Sequence, residues 1–361
     1  MDEKYMQRCI QLALNGKGFV APNPMVGAVI VYNDKIIGEG FHRQYGEAHA
    51  EVNAIASVAD HSLLKHATLY VNLEPCSHHG KTPPCSELII SKGIPKVVVG
   101  CLDPFPEVSG RGIRMMQEAG IEVKVGVLEN ECRNLNKRFL TYIQQKRPYI
   151  ILKWAQSADG FLDKNREIGT NEKPVRLSND FTQMMVHRMR AEESAIIVGT
   201  RTALLDNPSL TTRFWSGKNP LRILIDKELN IPSNFHLLDG TVSTLIYTNE
   251  VAENKENIVY KTLDFEKDIL PQIMNDLYER KIQSLIVEGG RVLLGSFIQL
   301  GLWDEACVET VSTLIKSGIP APYLKPCTAN PVPFTNIKCK LSNVQKCENS
   351  IVSRYENSLI N

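Results

Sequence analysis

Apolar residues change their spacing repeatedly along this chain, and each spacing names an element. Met6, Cys9, Ile10 and Ala13 recur at i, i+3, i+4 and i+7, one face of a helix that stops at Gly16. The apolar run 26–31, the turn pair Asn33-Asp34 and the run 35–41 together predict a hairpin. A helix is expected over 49–58. Leu69, Val71 and Leu73 alternate as a strand that delivers Cys76 at its end. Residues 85–91 have the length of a short helix closed by Gly93, and 96–101 read as a buried strand.

The pattern starts afresh near Lys146-Arg147-Pro148. Residues 149–155 (Tyr-Ile-Ile-Leu-Lys-Trp-Ala) read as a strand leading into Ser157-Ala158-Asp159-Gly160. A helix over 179–190 follows, then strands over 195–198, 221–225 and 243–247. A helix over 265–281 and a strand over 284–287 come next, and Glu288-Gly289-Gly290 opens another helix. Strands alternating with helices predict a second α/β domain with a mainly parallel sheet. Beyond Tyr323, Pro326, Pro331 and Pro333 predict loops with a terminal strand or two.

Composition narrows the class. A length of 361 residues suggests two domains, and 43% hydrophobic with 22% charged residues describes a globular protein. With 41 Lys+Arg against 40 Asp+Glu the net charge is +1, so no global field favours nucleic acid or an anionic membrane. No apolar stretch approaches the roughly 18 residues of a membrane span. The start, Met1-Asp2-Glu3-Lys4, lacks the apolar core of a signal peptide. Nine cysteines, an odd number scattered along the chain, suit a reducing compartment. A cytoplasmic enzyme is expected.

The chemistry concentrates in His49-Ala50-Glu51, Pro75-Cys76 and Cys85. One imidazole and two thiolates make three protein ligands, which leave the fourth tetrahedral position of zinc open for water. A metal so held lowers the pKa of that water from about 15.7 to near 7. Glu51 is not a ligand in this scheme. It is the general acid/base that carries the proton of the water to a ring nitrogen and then to departing ammonia, as in zinc deaminases. A structural zinc knot would call for four protein ligands. His61, His66, Cys9 and Cys132 are read as packing residues. Both ligand segments sit near expected helix starts, where the dipole favours thiolate. His49 and Glu51 lie two apart, so both reach one metal only if the end of the helix points at it. In the second half no Gly-x-Gly-x-x-Gly follows a strand, so a Rossmann dinucleotide site has no support. Glu288-Gly289-Gly290 could instead present backbone N–H groups to a phosphate.

Two stretches carry a resemblance. Glu74-Pro75-Cys76-Ser77-His78 and Gly80-Lys81-Thr82-Pro83-Pro84-Cys85 separate the two thiolates far more than the usual Pro-Cys-x-x-Cys. They resemble the deaminase half of the bifunctional deaminase–reductase family of riboflavin biosynthesis. Thr-Arg-Thr-Ala-Leu-Leu-Asp-Asn-Pro-Ser-Leu-Thr-Thr-Arg over 200–213, with Lys153, 157–160, 187–190 and 287–290, resembles its reductase half. The resemblance runs from about Met1 to Pro322. It implies an α/β chain: an N-terminal cytidine-deaminase-like three-layer α/β/α domain over 1–146, then a dihydrofolate-reductase-like α/β domain over 147–361. It also implies zinc and NADPH as cofactors and a small-molecule pyrimidine ribose phosphate as substrate. The deaminase half would remove ammonia hydrolytically from 2,5-diamino-6-(5-phosphoribosylamino)pyrimidin-4(3H)-one. The reductase half would convert the ribosyl to the ribityl chain. A homo-oligomer that binds neither nucleic acid nor membrane is expected.

Position by position, the resemblance assigns His49, Cys76 and Cys85 to zinc and Glu51 to catalysis. Asn23, His42, His78, Lys81 and Asp103 would contact the pyrimidine and the ribose phosphate. Lys153, Arg190, Leu210, Arg213 and Glu288 match substrate-side positions of the reductase. Ala155, Thr202, Asp206, Gly290, Arg291, Val292, Leu293, Leu294, Gly295 and Ser296 match cofactor-side positions. Arg190 and Arg213 are forked donors suited to a phosphate monoester; without the family each would be read as a solvated surface arginine. Three departures stand out: Phe105 where the family commonly has Asn, Arg176-Leu177-Ser178 with Pro174 before the reductase helix, and Lys316-Ser317-Gly318 in place of a Gly-Gly pair. Two rival readings remain, a deaminase with a non-catalytic C-terminal binding domain and a tRNA or nucleoside deaminase. The balanced charge speaks against tRNA, and the Gly80-Lys81-Thr82 insertion against a free nucleoside.

Overall fold

In the first strand of the chain, alternate residues feed two different cores. Ala28 and Ile30 enter one cluster and Val29 and Val31 another, so this strand is covered on both faces. The computed structural model describes residues 1–77, 83–105, 109–170, 172–324 and 339–357. His78 and Lys81 lie outside them. The chain divides into two compact units, Met1–Arg147 and Pro148–Asn361.

The first unit runs α1 (Asp2–Leu14), β1 (Gly27–Tyr32), β2 (Lys35–Phe41), α2 (Ala50–Ala56), β3 (Thr68–Leu73), α3 (Cys85–Ser91), β4 (Lys96–Cys101), α4 (Arg111–Glu118), β5 (Glu122–Val125), α5 (Glu129–Leu135) and α6 (Lys137–Gln145). Its sheet has the order β2-β1-β3-β4-β5, with β1 antiparallel to both neighbours and β3, β4 and β5 parallel. The β1–β2 hairpin turns at Asn33 and Asp34, whose φ values of 48° and 60° suit a tight left-handed turn that these two residue types tolerate. Residues of α2, α3 and α4 pack on one face of the sheet, and residues of α1 and α5 on the other. This makes three layers.

Close packing fixes where α2 lies. A Cβ on Gly40 would stand 2.3 Å from the Ala54 backbone nitrogen and 2.6 Å from the Ala50 carbonyl oxygen. A Cβ on Gly38 would stand 2.6 Å from the Ala54 carbonyl oxygen. The helix therefore rests directly on the backbone of β2.

The second unit runs β6 (Tyr149–Gln156), β7 (Phe161–Asp163), α7 (Asp180–Glu192), β8 (Ala195–Gly199), α8 (Thr200–Asp206), β9 (Leu221–Ile225), β10 (Thr244–Thr248), β11 (Ile258–Thr262), α9 (Ile269–Glu279), β12 (Ser284–Val287), α10 (Arg291–Gln299), β13 (Glu305–Val311), β14 (Ile319–Pro320), β15 (Cys339–Cys347) and β16 (Ser350–Asn357). The main sheet has the order β11-β10-β9-β8-β12-β6-β13-β16-β15. It is parallel from β11 through β13 and antiparallel at β16 and β15. The chain leaves β6 for β8 and later returns to insert β12 between them. Connections diverge on either side of that point, and an open parallel sheet forms its ligand crevice there, beyond the carboxyl ends of the strands. Strand β13 and helix α8 were not expected from the sequence.

Gly40→Ala is expected to destabilise the first unit by about 1–3 kcal/mol through overpacking against α2, and to weaken metal retention because α2 carries His49 and Glu51. Thermal denaturation together with metal content after dialysis measures both; an unchanged melting temperature would contradict the close-packing account.

Candidate active sites

His49 is the N-cap of α2, with an extended backbone (φ −71°, ψ 165°), and Glu51 lies in the first turn. Both side chains therefore leave from the end of the helix, which resolves the geometric question posed by their spacing. Cys76 follows β3, and Cys85 is the first residue of α3. The His49 Nδ1 atom lies 3.3 Å from Cys85 Sγ and 3.6 Å from Cys76 Sγ, and the Cys85 backbone N–H donates to Cys76 Sγ at 3.3 Å. The three ligand atoms lie within 4.8 Å of one another. Zinc with sulfur at about 2.3 Å and nitrogen at about 2.0 Å in tetrahedral array separates N from S by about 3.6 Å. The donor set and its spacing fit that metal.

Electrostatics agree with a site built for a cation. A hydrogen bond from the Cys85 thiol, then one from His49, pushes the Cys76 thiol down to about 4 despite burial. The same contact with Cys76, and then burial, pushes the Cys85 thiol up. Glu51 is 3% exposed, and burial, followed by the Cys76 charge, pushes its carboxyl up to about 7.

Asn23 and His42 stand beside this cluster. The Asn23 amide lies 3.1 Å from His42 Nε2, His42 Nδ1 lies 3.1 Å from the Ala48 carbonyl, and the His42 and His49 rings meet edge to face at 5.6 Å. Burial lowers the His42 pKa. The network assigns the proton to Nδ1, donating to Ala48, and leaves Nε2 to accept from Asn23. The segment carrying Asn23 is braced by two buried asparagines that the sequence did not single out. The Met25 N–H donates to Asn136 Oδ1 at 2.8 Å and the Gly27 N–H to Asn72 Oδ1 at 2.7 Å, while both amides return a bond to the Met25 carbonyl. Asp103 follows β4, and its N–H donates to the Glu74 carboxylate. Phe105 is exposed, and its N–H donates to Asp103.

In the second unit a cavity of about 720 Å³ lies at the carboxyl ends of β6, β8, β9 and β12. Lys153, Ala155, Thr202, Asp206, Glu288, Gly290, Arg291, Val292, Leu293 and Ser296 line it. Leu294 and Gly295 do not. Leu294 is fully buried in the core, because successive residues of a helix cannot all face one cavity. Gly290 N–H donates to Thr202 Oγ1 at 3.1 Å. Arg166, not anticipated from the sequence, also lines the cavity and is buried between Asp163 and Asp206, with which it makes ion pairs.

Beside the cavity is a second polar cluster. Parallel pairing of Val287 with Leu152 puts Glu288, just past the end of β12, level with Lys153 within β6. Arg190 is only 9% exposed. Its guanidinium grips Glu288 at 2.7 and 3.3 Å and the Thr211 carbonyl at 3.2 Å, so the fork expected to face phosphate is already engaged. Burial pushes the Glu288 carboxyl up, but Arg190 and Lys153 outweigh it and hold it below its ordinary value. Arg213 is exposed, with its N–H donating to His187 Nδ1 at 2.8 Å. Leu210 adopts φ 53°, a left-handed conformation strained for a side chain of this size, and is buried. His187 was not among the expected contacts. At the remaining departures, Ser178 Oγ donates to Glu309 at 2.6 Å and the Lys316 N–H to Asp159 at 2.7 Å.

Comparison with known proteins decides the family. The model of the RibD C-terminal domain matches residues 148–353. The model of the cytidine and deoxycytidylate deaminase zinc-binding region matches residues 1–101. The riboflavin biosynthesis protein RibD of Aquifex aeolicus is 41% identical over 324 residues, 88% of this chain and 89% of that one. The chain belongs to the RibD family. RibD of Escherichia coli is 34% identical over 339 residues, 88% of this chain and 89% of its own. The crystal structure of a diaminohydroxyphosphoribosylaminopyrimidine deaminase/5-amino-6-(5-phosphoribosylamino)uracil reductase from Thermotoga maritima superposes with a TM-score of 0.87 at 37% identity, covering 99% of this chain and 98% of that one. Like other RibD-family chains, this one is a bifunctional enzyme of riboflavin biosynthesis: a zinc-binding, cytidine-deaminase-like domain precedes a dihydrofolate-reductase-like reductase domain, which NADPH fits. Among the described residues no helix is long and apolar enough to cross a membrane.

Burial, then the charges of Arg190 and Arg213, pushes His187 down to about 4 from an ordinary 6.5. Its Nδ1 must stay unprotonated to accept from Arg213. Below pH 6.5 the unfolded chain binds a proton that the folded chain refuses, so stability falls as pH drops from about 6.5 to about 4. The slope of unfolding free energy against pH in that window is expected to shrink in a His187→Gln variant; equal slopes would contradict this assignment.

Proposed function

We propose that the first unit deaminates 2,5-diamino-6-(5-phosphoribosylamino)pyrimidin-4(3H)-one and that the second reduces the ribosyl chain of the product with NADPH. The observation that carries this reading is the convergence of His49, Cys76 and Cys85 on one point, three donors rather than four among the described residues, with buried Glu51 against Cys85. Zinc, when bound there, supplies an acidified water at neutral pH. Glu51, buried beside the donors, is placed both to take a proton from that water and to give one to the ring nitrogen and the departing amine. Asn23 and His42 present an amide and an imidazole edge to the pyrimidine. Asp103, with His78 and Lys81 by resemblance, takes the ribose phosphate side.

In the second unit NADPH, when bound, supplies the hydride for C1′ of the opened ribose. Ala155, Thr202 and Asp206 line the cavity on the cofactor side. The first turn of α10, Arg291 to Leu293, would offer its backbone N–H groups to the cofactor's phosphates, with Gly290 and Ser296 lining the same wall. Lys153 and Glu288 face the substrate, with Arg190 paired to Glu288 and fixing it and Leu210 shaping the adjoining wall. Exposed Arg213 is the cation placed to meet the substrate phosphate. The near-zero net charge supports a small substrate and no nucleic acid. Cys9, Cys101, Cys132, Cys307 and Cys347 form no disulfide, which supports a reducing cytoplasm. Leu341, Val344 and Ile351, exposed on the edge hairpin β15–β16, support a homo-oligomer.

The deciding experiment incubates zinc-loaded protein with the pyrimidine phosphate and follows ammonia release and NADPH absorbance together. Glu51→Gln is expected to keep its metal, lose about 10²–10⁴-fold in deamination, and still oxidise NADPH when given the deaminated substrate. Wild-type deamination by that variant would remove Glu51 from the mechanism. Ammonia release by the native chain without NADPH consumption would make the second unit a silent binding domain.

A further inference from the structure

Glu74 lies two residues before Cys76 and takes no part in the chemistry assigned above. Its side chain is buried, at 4% exposure, and its backbone N–H donates to the Cys101 carbonyl at 3.0 Å, extending the pairing of β3 with β4. Its carboxylate accepts three backbone N–H groups from one stretch of chain: Asp103 at 3.2 Å and Gly110 at 2.9 Å on Oε2, and Gly112 at 3.1 Å on Oε1. Gly110 and Gly112 open α4, so the negative charge also sits at the positive end of a helix. The approach admits no side chain. A Cβ on Gly112 would stand 2.3 Å from the Pro75 carbonyl oxygen.

We infer that Glu74 is a positioning residue of the deaminase, whose charge-assisted hydrogen bonds hold Asp103 in register with the strand end that carries Cys76. The inference rests on the reading that Asp103 contacts the substrate. Both carboxylate oxygens accept, so glutamine cannot replace glutamate here: its single oxygen serves one side, and its NH₂ would meet an N–H donor on the other. Hydrogen bonds to a charged group are stronger than neutral ones, and Asp103, Gly110 and Gly112 each make one.

The test uses the full-length zinc enzyme and the pyrimidine phosphate. Glu74→Gln is expected to raise the deaminase KM by about tenfold or more, the size of losing one such bond. Its kcat should change far less, zinc should stay stoichiometric, and reductase turnover of the deaminated substrate should be unchanged. Gly112→Ala, which leaves the carboxylate in place but drives the start of α4 away from the Pro75 carbonyl, is expected to show the same pattern. Asp103→Asn alone should raise KM, and the Glu74→Gln/Asp103→Asn double variant should be no worse than the worse single one, as for residues acting through one contact. If Asp103→Asn raises KM while Glu74→Gln does not, or if the two effects multiply, the inference is overturned and the substrate reading survives. If Asp103→Asn leaves KM unchanged, the substrate reading itself fails and the inference with it. Loss of zinc in Glu74→Gln would assign the residue to holding the strand end and overturn the positioning role.

Discussion

Two thiols, an imidazole and a buried carboxyl within reach of one point set a problem of charge that the first unit is arranged to solve. Contact between the two thiols pushes Cys76 down and Cys85 up, and burial beside them pushes the Glu51 carboxyl up. The backbone lowers the penalty from several directions. The N–H of Cys85 points at the Cys76 sulfur, and His49 is delivered by a helix end instead of a helix flank. That delivery in turn depends on α2 lying flat on β2, which only glycine at positions 38 and 40 permits. A divalent ion would balance the thiolates and leave the carboxyl as the group that moves protons.

The reductase domain meets a similar constraint with a different device. Parallel register brings Lys153 and Glu288 to the same level at a sheet crevice, and Arg190 crosses from α7 to complete the group. Burying these charges costs desolvation energy that only close pairing offsets. Neutral His187 adjoins two arginines and turns its lone pair toward the Arg213 backbone, so a further positive charge is avoided there. The result is a fixed polar wall beside an open cavity.

Much of this could be read from the chain because the chemistry sits in short segments. His49 and Glu51 are two apart, and Cys76 follows a strand that alternates cleanly. Asn33-Asp34 marked the hairpin before any contact was known. Strand β13 was missed because Glu305 and Glu309 interrupt its apolar pattern, although both are buried and bonded by distant groups such as Arg354 and Ser178. Asn72, Asn136 and Arg166 gave no signal, since each acts through partners far away in sequence or on another element, and His187 stood inside a resembling segment without being assigned a contact. Treating 290–296 as one cofactor-facing stretch ignored the helical period that turns Leu294 inward.

Arg166 has a further consequence for the choice of electron donor. An ionised, unaccompanied Asp206 on the cavity wall would push away the extra phosphate that distinguishes NADPH from its unphosphorylated relative. Clamped by a buried guanidinium, and sharing that wall with Arg201 and Arg291, the carboxylate presents no such barrier. A residue that looks merely architectural thereby removes an electrostatic objection to the more highly charged dinucleotide.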